Sequence, residues 1–180
     1  CYDRHTADRS YLLFTREAGM LFATARSVRE ERSRQRYALQ AFSVVRVSLV
    51  KGKSGWRIGS VEAVANPFVQ ATTRPARGAV VAIVRLLRRY VHGEEVLPTI
   101  FDDVTTVLAQ VSSATTTAPD EWVRLCELRL LHTLGYVKVD SELTALLETS
   151  SVSEAMGYYE PTHAARIDQL VTTAAQVSHL

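Results

Sequence analysis

Apolar and polar residues alternate with a period of two through the first third of the chain and then change to a helical period. Arg9 to Thr15 (RSYLLFT) and Gly19 to Ala25 (GMLFATA) are short and rich in strand-forming residues. Arg16, Glu17 and Ala18 separate them, and Gly19 supplies turn freedom, which predicts a hairpin. Phe42 to Val50 (FSVVRVSLV) puts Val45, Val47 and Leu49 on one face and Val44, Arg46 and Ser48 on the other, the alternation of a half-buried strand. Lys51 to Gly55 (KGKSG) turns the chain, and Trp56 to Val64 completes a second hairpin with Trp56, Ile58, Val61 and Val64 as its apolar contacts. Gly59 marks a bulge or bend in that strand.

Past Asn66-Pro67 the spacing becomes that of helices. Val80, Ile83, Val84, Leu87 and Tyr90 form one stripe over Ala76 to Val91, and Gly93 is its stop. A second helix starts near Leu97 or Pro98 and runs through Phe101, Val104, Val107, Leu108 and Val111. The polar, β-branched run Ser112 to Ala118 is a loop. Asp120 and Glu121, after Pro119, suit the first turn of a third helix, whose buried stripe is Val123, Cys126, Leu130 and Leu134 before Gly135 ends it. Short helices over Ser141 to Glu148 and a longer one from Pro161 to Val177 close the chain. Strands first and helices after predict an α+β protein: an N-terminal OB-like β-barrel over residues 1–70, then an α-helical domain over 71–180, joined between residues 66 and 75.

Composition adds three points. With 47% hydrophobic residues the chain can bury a real core, and no apolar run nears the roughly 18 residues of a membrane span. The two cysteines, Cys1 and Cys126, can build neither a disulfide framework nor a four-cysteine zinc site, which predicts a cytoplasmic protein; Cys126 is expected to be a buried small hydrophobe. The net charge of +2 conceals a strong asymmetry: residues 1–91 carry 17 basic against 6 acidic side chains, and the remainder carries 4 against 13. Like charge concentrated on one module steers a polyanion toward it.

The densest basic segment is Arg26 to Arg36 (RSVREERSRQR), with arginines at 26, 29, 32, 34 and 36 against Glu30 and Glu31. The planar guanidinium pairs bidentately with phosphate and stacks on bases, and each neutralised phosphate releases condensed counterions. Lys51, Lys53 and Arg57 extend the candidate patch, with Tyr37 and Trp56 as stacking platforms. For Arg85, Arg88 and Arg89 two readings stand open: a continuation of the nucleic-acid track, or pairing with Glu94, Glu95, Asp102 or Asp103. The five histidines fall in no metal-binding spacing, no phosphate-cradling glycine loop occurs, and Cys126 lacks the context of a thiol nucleophile. The residues thus point to binding rather than catalysis.

With those residues in view the chain resembles the bacterial recombination mediator family RecO. The likeness is carried by Asp8 to Gly19 (DRSYLLFTREAG), the arginine-rich loop followed by Leu39-Gln40-Ala41-Phe42, Ile58 to Ala63 (IGSVEA) and Leu125 to Tyr136 (LCELRLLHTLGY), in order over residues 8–137. It implies a non-enzymatic protein that binds single- and double-stranded DNA through its barrel and anneals complementary strands. It further implies work with RecR and with the acidic C-terminal tail of single-strand-binding protein to help load RecA in DNA repair, in the bacterial cytoplasm at the nucleoid. DNA contacts then fall to Arg26, Arg29, Arg32, Arg34, Arg36, Lys51, Lys53 and Arg57, and the tail to Arg124 and Arg129. Departures are Ala41 where the family has Pro, Thr24 to Ser27 in place of a Lys-Gly-Ala-Arg run, and absence of the zinc-binding cysteines of some members, so no metal or other cofactor is implied. The alternative is a protein-interaction adaptor on the same scaffold.

Overall fold

The computed structural model describes residues 2–4, 7–30, 33, 35–114, 117–138 and 141–177. Five strands form one open mixed sheet in the order β1-β2-β3-β5-β4. These are β1 (Tyr2–Arg4), β2 (Asp8–Thr15), β3 (Gly19–Ala25), β4 (Val44–Gly52) and β5 (Gly55–Ala65). Hairpins make β2–β3 and β4–β5 antiparallel, and a parallel pairing of β3 with β5 at Ala23↔Trp56 and Thr24↔Arg57 joins the two hairpins. The turn of the first hairpin is closed by Thr15, whose Oγ1 accepts from Ala18 N at 3.0 Å, and by Gly19 at φ +64°. Such a three-residue loop ending on a left-handed glycine is a favoured hairpin connection.

Gly59 does mark a bulge. Val47 pairs with Val61 and Leu49 with Ile58, so Gly59 and Ser60 together oppose Ser48. The Ser48 hydroxyl fills the irregularity by accepting from Ser60 N at 2.7 Å, in space that a Cβ on residue 59 would enter. A second shift lies between Val44↔Ala65 and Val45↔Ala63, leaving Val64 unpaired. Because side chains alternate with period two, each bulge reverses the phase of the residues beyond it. Trp56, Ile58 and Val61 therefore pack with the barrel core as expected, whereas Val64 does not: it is 59% exposed.

The sheet is apolar on both faces. Leu21, Ala23, Ala25, Val28, Leu39 and Ile58 make the core inside its curve, with Tyr11 and Leu13 against them. Leu12, Phe14 and Met20, on the alternate positions, face the helices instead. That orientation explains why β2 reads as a nearly continuous hydrophobic run.

Eight helices complete the described fold: α1 (Gln35–Ala38), α2 (Pro67–Gln70), α3 (Arg74–Tyr90), α4 (Pro98–Ser112), α5 (Pro119–Thr133), α6 (Thr144–Leu147), α7 (Val152–Met156) and α8 (His163–Val177). Helix α3 is capped by Thr73, whose side chain accepts from Ala76 N, with Pro75 in its first turn. Helix α5 ends in Leu134 and Gly135: Gly135 N donates to His132 O and Tyr136 N to Leu131 O, each at 2.9 Å, with Gly135 at φ +77°. The stripe expected for α5 is corrected in part: its buried residues are Pro119, Leu125, Cys126, Leu128, Arg129, Leu130 and Leu131, and Val123 and Leu134 lie at the margin. Cys126 is buried, and desolvation pushes its thiol up to about 12.

Sheet and helices meet at the loop between α3 and α4. Met20 N donates to Gly93 O at 2.9 Å, and Arg16 in the first hairpin turn grips Asp102 with two 2.9 Å bonds. Phe14 lies against Phe101 with ring centroids 5.6 Å apart. Gly19 has no room for a Cβ against the Glu95 backbone.

Candidate nucleic-acid interface

The arginine loop leaves the sheet where β3 ends, and its first turn is anchored rather than loose. Val28, flanked by polar and charged neighbours, is 1% exposed and plugs into the core of the curved sheet. Ser27, at φ +50°, donates its backbone N–H to Asp8 Oδ1 at 2.9 Å, and Arg29 N donates to Ala7 O at 3.2 Å. With Val28 held inward, Arg26 and Arg29 are left exposed on either side of it. Farther along, Gln35 donates to Gly59 O at 2.9 Å, docking α1 onto the bulge of β5. Arg36 lies over the ring of Tyr37, 5.7 Å from its centroid, and Tyr37 is 65% exposed. A guanidinium stacked on an exposed phenol offers a cation and an aromatic face together, the pair that backbone phosphate and an unstacked base require. Arg32 and Arg34 lie outside the described residues.

The second basic segment meets the first only at Arg57. Parallel pairing sets Arg57 beside Thr24, just before the arginine loop begins, but Lys53 sits in the β4–β5 turn, before β5 starts. From Lys53 to Gly59, where the arginine loop docks, the strand covers on the order of 20 Å at about 3.3 Å per residue. Lys51 instead borders the loop between α3 and α4. Lys51 Nζ donates to Glu94 Oε2 at 3.0 Å and lies 5.0 Å from the Trp56 ring centroid, while Trp56 Nε1 donates to Glu94 Oε1 at 2.8 Å. The Glu94 carboxyl is held below the usual carboxylate range, first by the indole N–H and then by the ammonium. Both groups expected to serve DNA at this end, the cation and the stacking platform, are thus occupied by a carboxylate of the same chain. Glu94, read in the sequence as a partner for the α3 arginines, pairs instead with Lys51 and Trp56, a contact that no local spacing records.

The two arginines offered for an acidic tail have unlike surroundings. Arg124 donates to Asp168 Oδ1 at 2.9 Å and keeps 35% of its side chain exposed. Arg129 is enclosed: its Nε meets Asp103 Oδ2 at 2.7 Å with the two side chains 6% and 4% exposed. Its remaining donors go to Leu146 O, Thr149 Oγ1 and Thr149 O, and the other oxygen of Asp103 accepts from Val152 N. A guanidinium whose donors are taken up inside the fold cannot receive a tail at the surface. The spacing held this signal: Arg129 stands four residues after Leu125 and three after Cys126, on the buried stripe of α5.

Of the two readings for the α3 arginines, pairing of Arg85 and Arg88 with the named acids is not found among the described residues. Asp102 holds Arg16, Asp103 holds Arg129 and Glu94 holds Lys51. Arg89 lies over the Tyr90 ring at 5.2 Å. Arg85 and Arg88 are exposed.

Among the described residues no group of three or more His, Cys, Asp or Glu is placed to hold a metal ion, and no helix is long and apolar enough to cross a membrane. No curated protein matches the sequence. A family model described as "Recombination protein O N terminal" matches residues 7–67, the segment from the loop before β2 through the start of α2. The segment that builds the sheet and carries the arginine loop is thus similar to the N-terminal domain of RecO-type recombination proteins.

Proposed function

We propose that this chain is a non-catalytic DNA-binding recombination mediator that anneals single strands, with residues 1–70 as its DNA-binding unit and 71–180 as its partner-binding unit. The observation that carries the reading is the anchored arginine loop, displayed by Val28 and Asp8 within the family-matched segment. Arg26, Arg29 and Arg36 are its DNA contacts, together with Arg32 and Arg34; Arg57 lies beside them, and Lys51 and Lys53 form a separate contact that Glu94 moderates. RecR and the acidic tail of single-strand-binding protein are its partners, the tail competing with Asp168 for Arg124. The site of action is the bacterial cytoplasm, at the nucleoid.

The adaptor reading has one observation in its favour: the Lys51 hairpin already takes a protein carboxylate. Fluorescence anisotropy of a labelled mixed-sequence oligonucleotide at two salt concentrations separates the two. On the DNA reading the wild type binds, weakens with salt by a log–log slope of about 0.7 to 0.9 per phosphate neutralised, and loses most of its affinity when Arg29, Arg32, Arg34 and Arg36 become Ala. Absence of binding by either protein favours the adaptor.

A further inference from the structure

Charge is segregated on this chain in space as well as in sequence. Between the outer face of the sheet and helix α3 runs a groove of about 1590 Å³, and among the described residues seven arginines line it against a single acid, Glu17. Leu12, Phe22 and Val44 contribute to its apolar floor, and Phe22 is 53% exposed. Arg16 and Arg46 are paired with Asp102 and Glu62. The Arg85 and Arg88 side chains on the α3 rim are exposed, with no ion pair or hydrogen bond among the described residues.

The opposite charge gathers at the turn between α7 and α8. That turn is braced: Gly157 N donates to Glu154 O and Tyr158 N to Ala155 O, each at 3.0 Å, and Glu160 N donates to His163 Nδ1 at 3.0 Å. Tyr159 turns inward, with its ring centroid 6.1 Å from that of His163 and its hydroxyl buried, while Tyr158 stands out and is 55% exposed. Exposed Glu154 and Glu160 flank Tyr158 in sequence, and Glu121 and Asp168 act on the neighbouring Tyr159. Beyond residue 91 the chain has four Lys or Arg side chains, of which Arg129 is buried and Arg124 is held by Asp168. The groove is walled by α3 and α4, whereas α8 packs on α5, so turn and groove lie on different sides of one molecule.

We infer that the chain assembles head to tail, the acidic Tyr158 turn of one copy seated in the arginine-rimmed groove of the next. The two surfaces match in kind. An aromatic side chain flanked by carboxylates meets an apolar floor flanked by guanidiniums, and tyrosine and arginine are the residue types that anchor protein interfaces. A second copy fits as occupant because the net charge of +2 does little to hold copies apart at long range. The division into 17 basic against 6 acidic side chains up to residue 91, and 4 against 13 beyond it, then orients each copy toward the oppositely charged end of another. A contact between unlike surfaces leaves one free groove and one free turn on every pair, so it adds copies until a ring closes or a filament forms. It is made by side chains on the face of the sheet and adds no strand to the sheet's edge. It needs no ligand other than the chain itself and is therefore independent of the DNA reading.

Sedimentation velocity of nuclease-treated protein over a range of concentrations tests this, at about 0.1 M and about 1 M salt, where charges are screened over about 10 Å and about 3 Å. At the lower salt the wild type is expected to grow beyond a monomer as concentration rises, and at the higher salt to return to one. R85E/R88E reverses the rim, and Y158A/E160K removes the knob. All four side chains are exposed, and circular dichroism checks that both variants melt as wild type does. Should either melt early, R88E or E160K takes its place. Each variant alone is expected to associate about tenfold or more weakly than wild type. An equimolar mixture of the two restores a single contact, the intact turn of R85E/R88E in the intact groove of Y158A/E160K, and stops at a one-to-one pair. A wild type that stays monomeric at the lower salt overturns the proposal, as does association that survives the higher salt or that either variant retains in full. A mixture that remains monomeric overturns it as well.

Discussion

Six buried side chains make the core inside the curved sheet, whereas the helices enclose a continuous core running from Met20 to Ala174 that also contains an ion pair. The sheet keeps its polar chemistry outside: Arg26, Arg29, Arg36 and Lys53 are all exposed. The helical part turns Arg129 inward, where Asp103, Leu146 and Thr149 converge on it and the start of α7 donates to Asp103. The same residue type thus does opposite work in the two parts. On the sheet it is displayed by apolar anchors such as Val28; among the helices it is itself the anchor.

Breaking the Arg129 network gives the largest effect. Arg129→Met leaves Asp103 buried and unpaired, and its expected cost is about 3–5 kcal/mol in urea unfolding; replacing Asp103 by Leu as well recovers most of that loss. Truncation of matched leucines sharpens the contrast. Leu128→Ala in α5 and Leu21→Ala in β3 each cost about 2–5 kcal/mol, with the larger loss at Leu128 because its surroundings are packed on more sides. Hydrogen exchange should show Leu21→Ala opening the sheet amides while those of α5 stay protected.

Gly19→Ala probes the seam between the parts. The left-handed backbone alone costs about 1–3 kcal/mol, and the close approach of the Glu95 backbone adds to it. Loss of protection at Met20 N–H, which is bonded to Gly93 O, is the readout. Smallest is a pH effect at Glu94, which is exposed. Its pKa is depressed in the folded state, so its contribution is present above the ordinary carboxylate pKa and fades as pH falls through the lower, folded value. Trp56 fluorescence should change in that acid window, and Glu94→Gln should abolish the change.

Both hairpins were legible because alternation and turn chemistry agree locally: β3 spans Gly19–Ala25 as read, and the Gly59 bulge followed from one glycine in a strand. Val64 was misplaced because alternation cannot register a second bulge that no glycine marks. Strand β4 begins at Val44 rather than Phe42, which takes a left-handed turn at φ +65° and stacks on Phe68 at 5.0 Å. The long helices α3, α4, α5 and α8 were read within a few residues, but α1, α2 and α7 are too short to complete a periodic pattern. Of the candidate site, the arginine loop was visible as composition and its anchoring by Val28 was not. The separation of Lys51 and Lys53 from it depends on which strands pair in parallel, a long-range fact that no local spacing records.

The two bulges between β4 and β5 also bear on how the protein survives at high concentration. Strand β4 ends the sheet order, so one of its sides offers unpaired peptide groups to any passing strand, including another copy of itself. A flat, regular edge of that kind templates aggregation, and twisting, irregular pairing and charged side chains discourage it. Arg46 and Lys51 lie along this edge, and the register breaks at Ser48 and Val64 twist the β4–β5 ribbon away from the flat geometry a second molecule would need. The irregularity that misled a simple reading of alternation is thus also a guard against self-association.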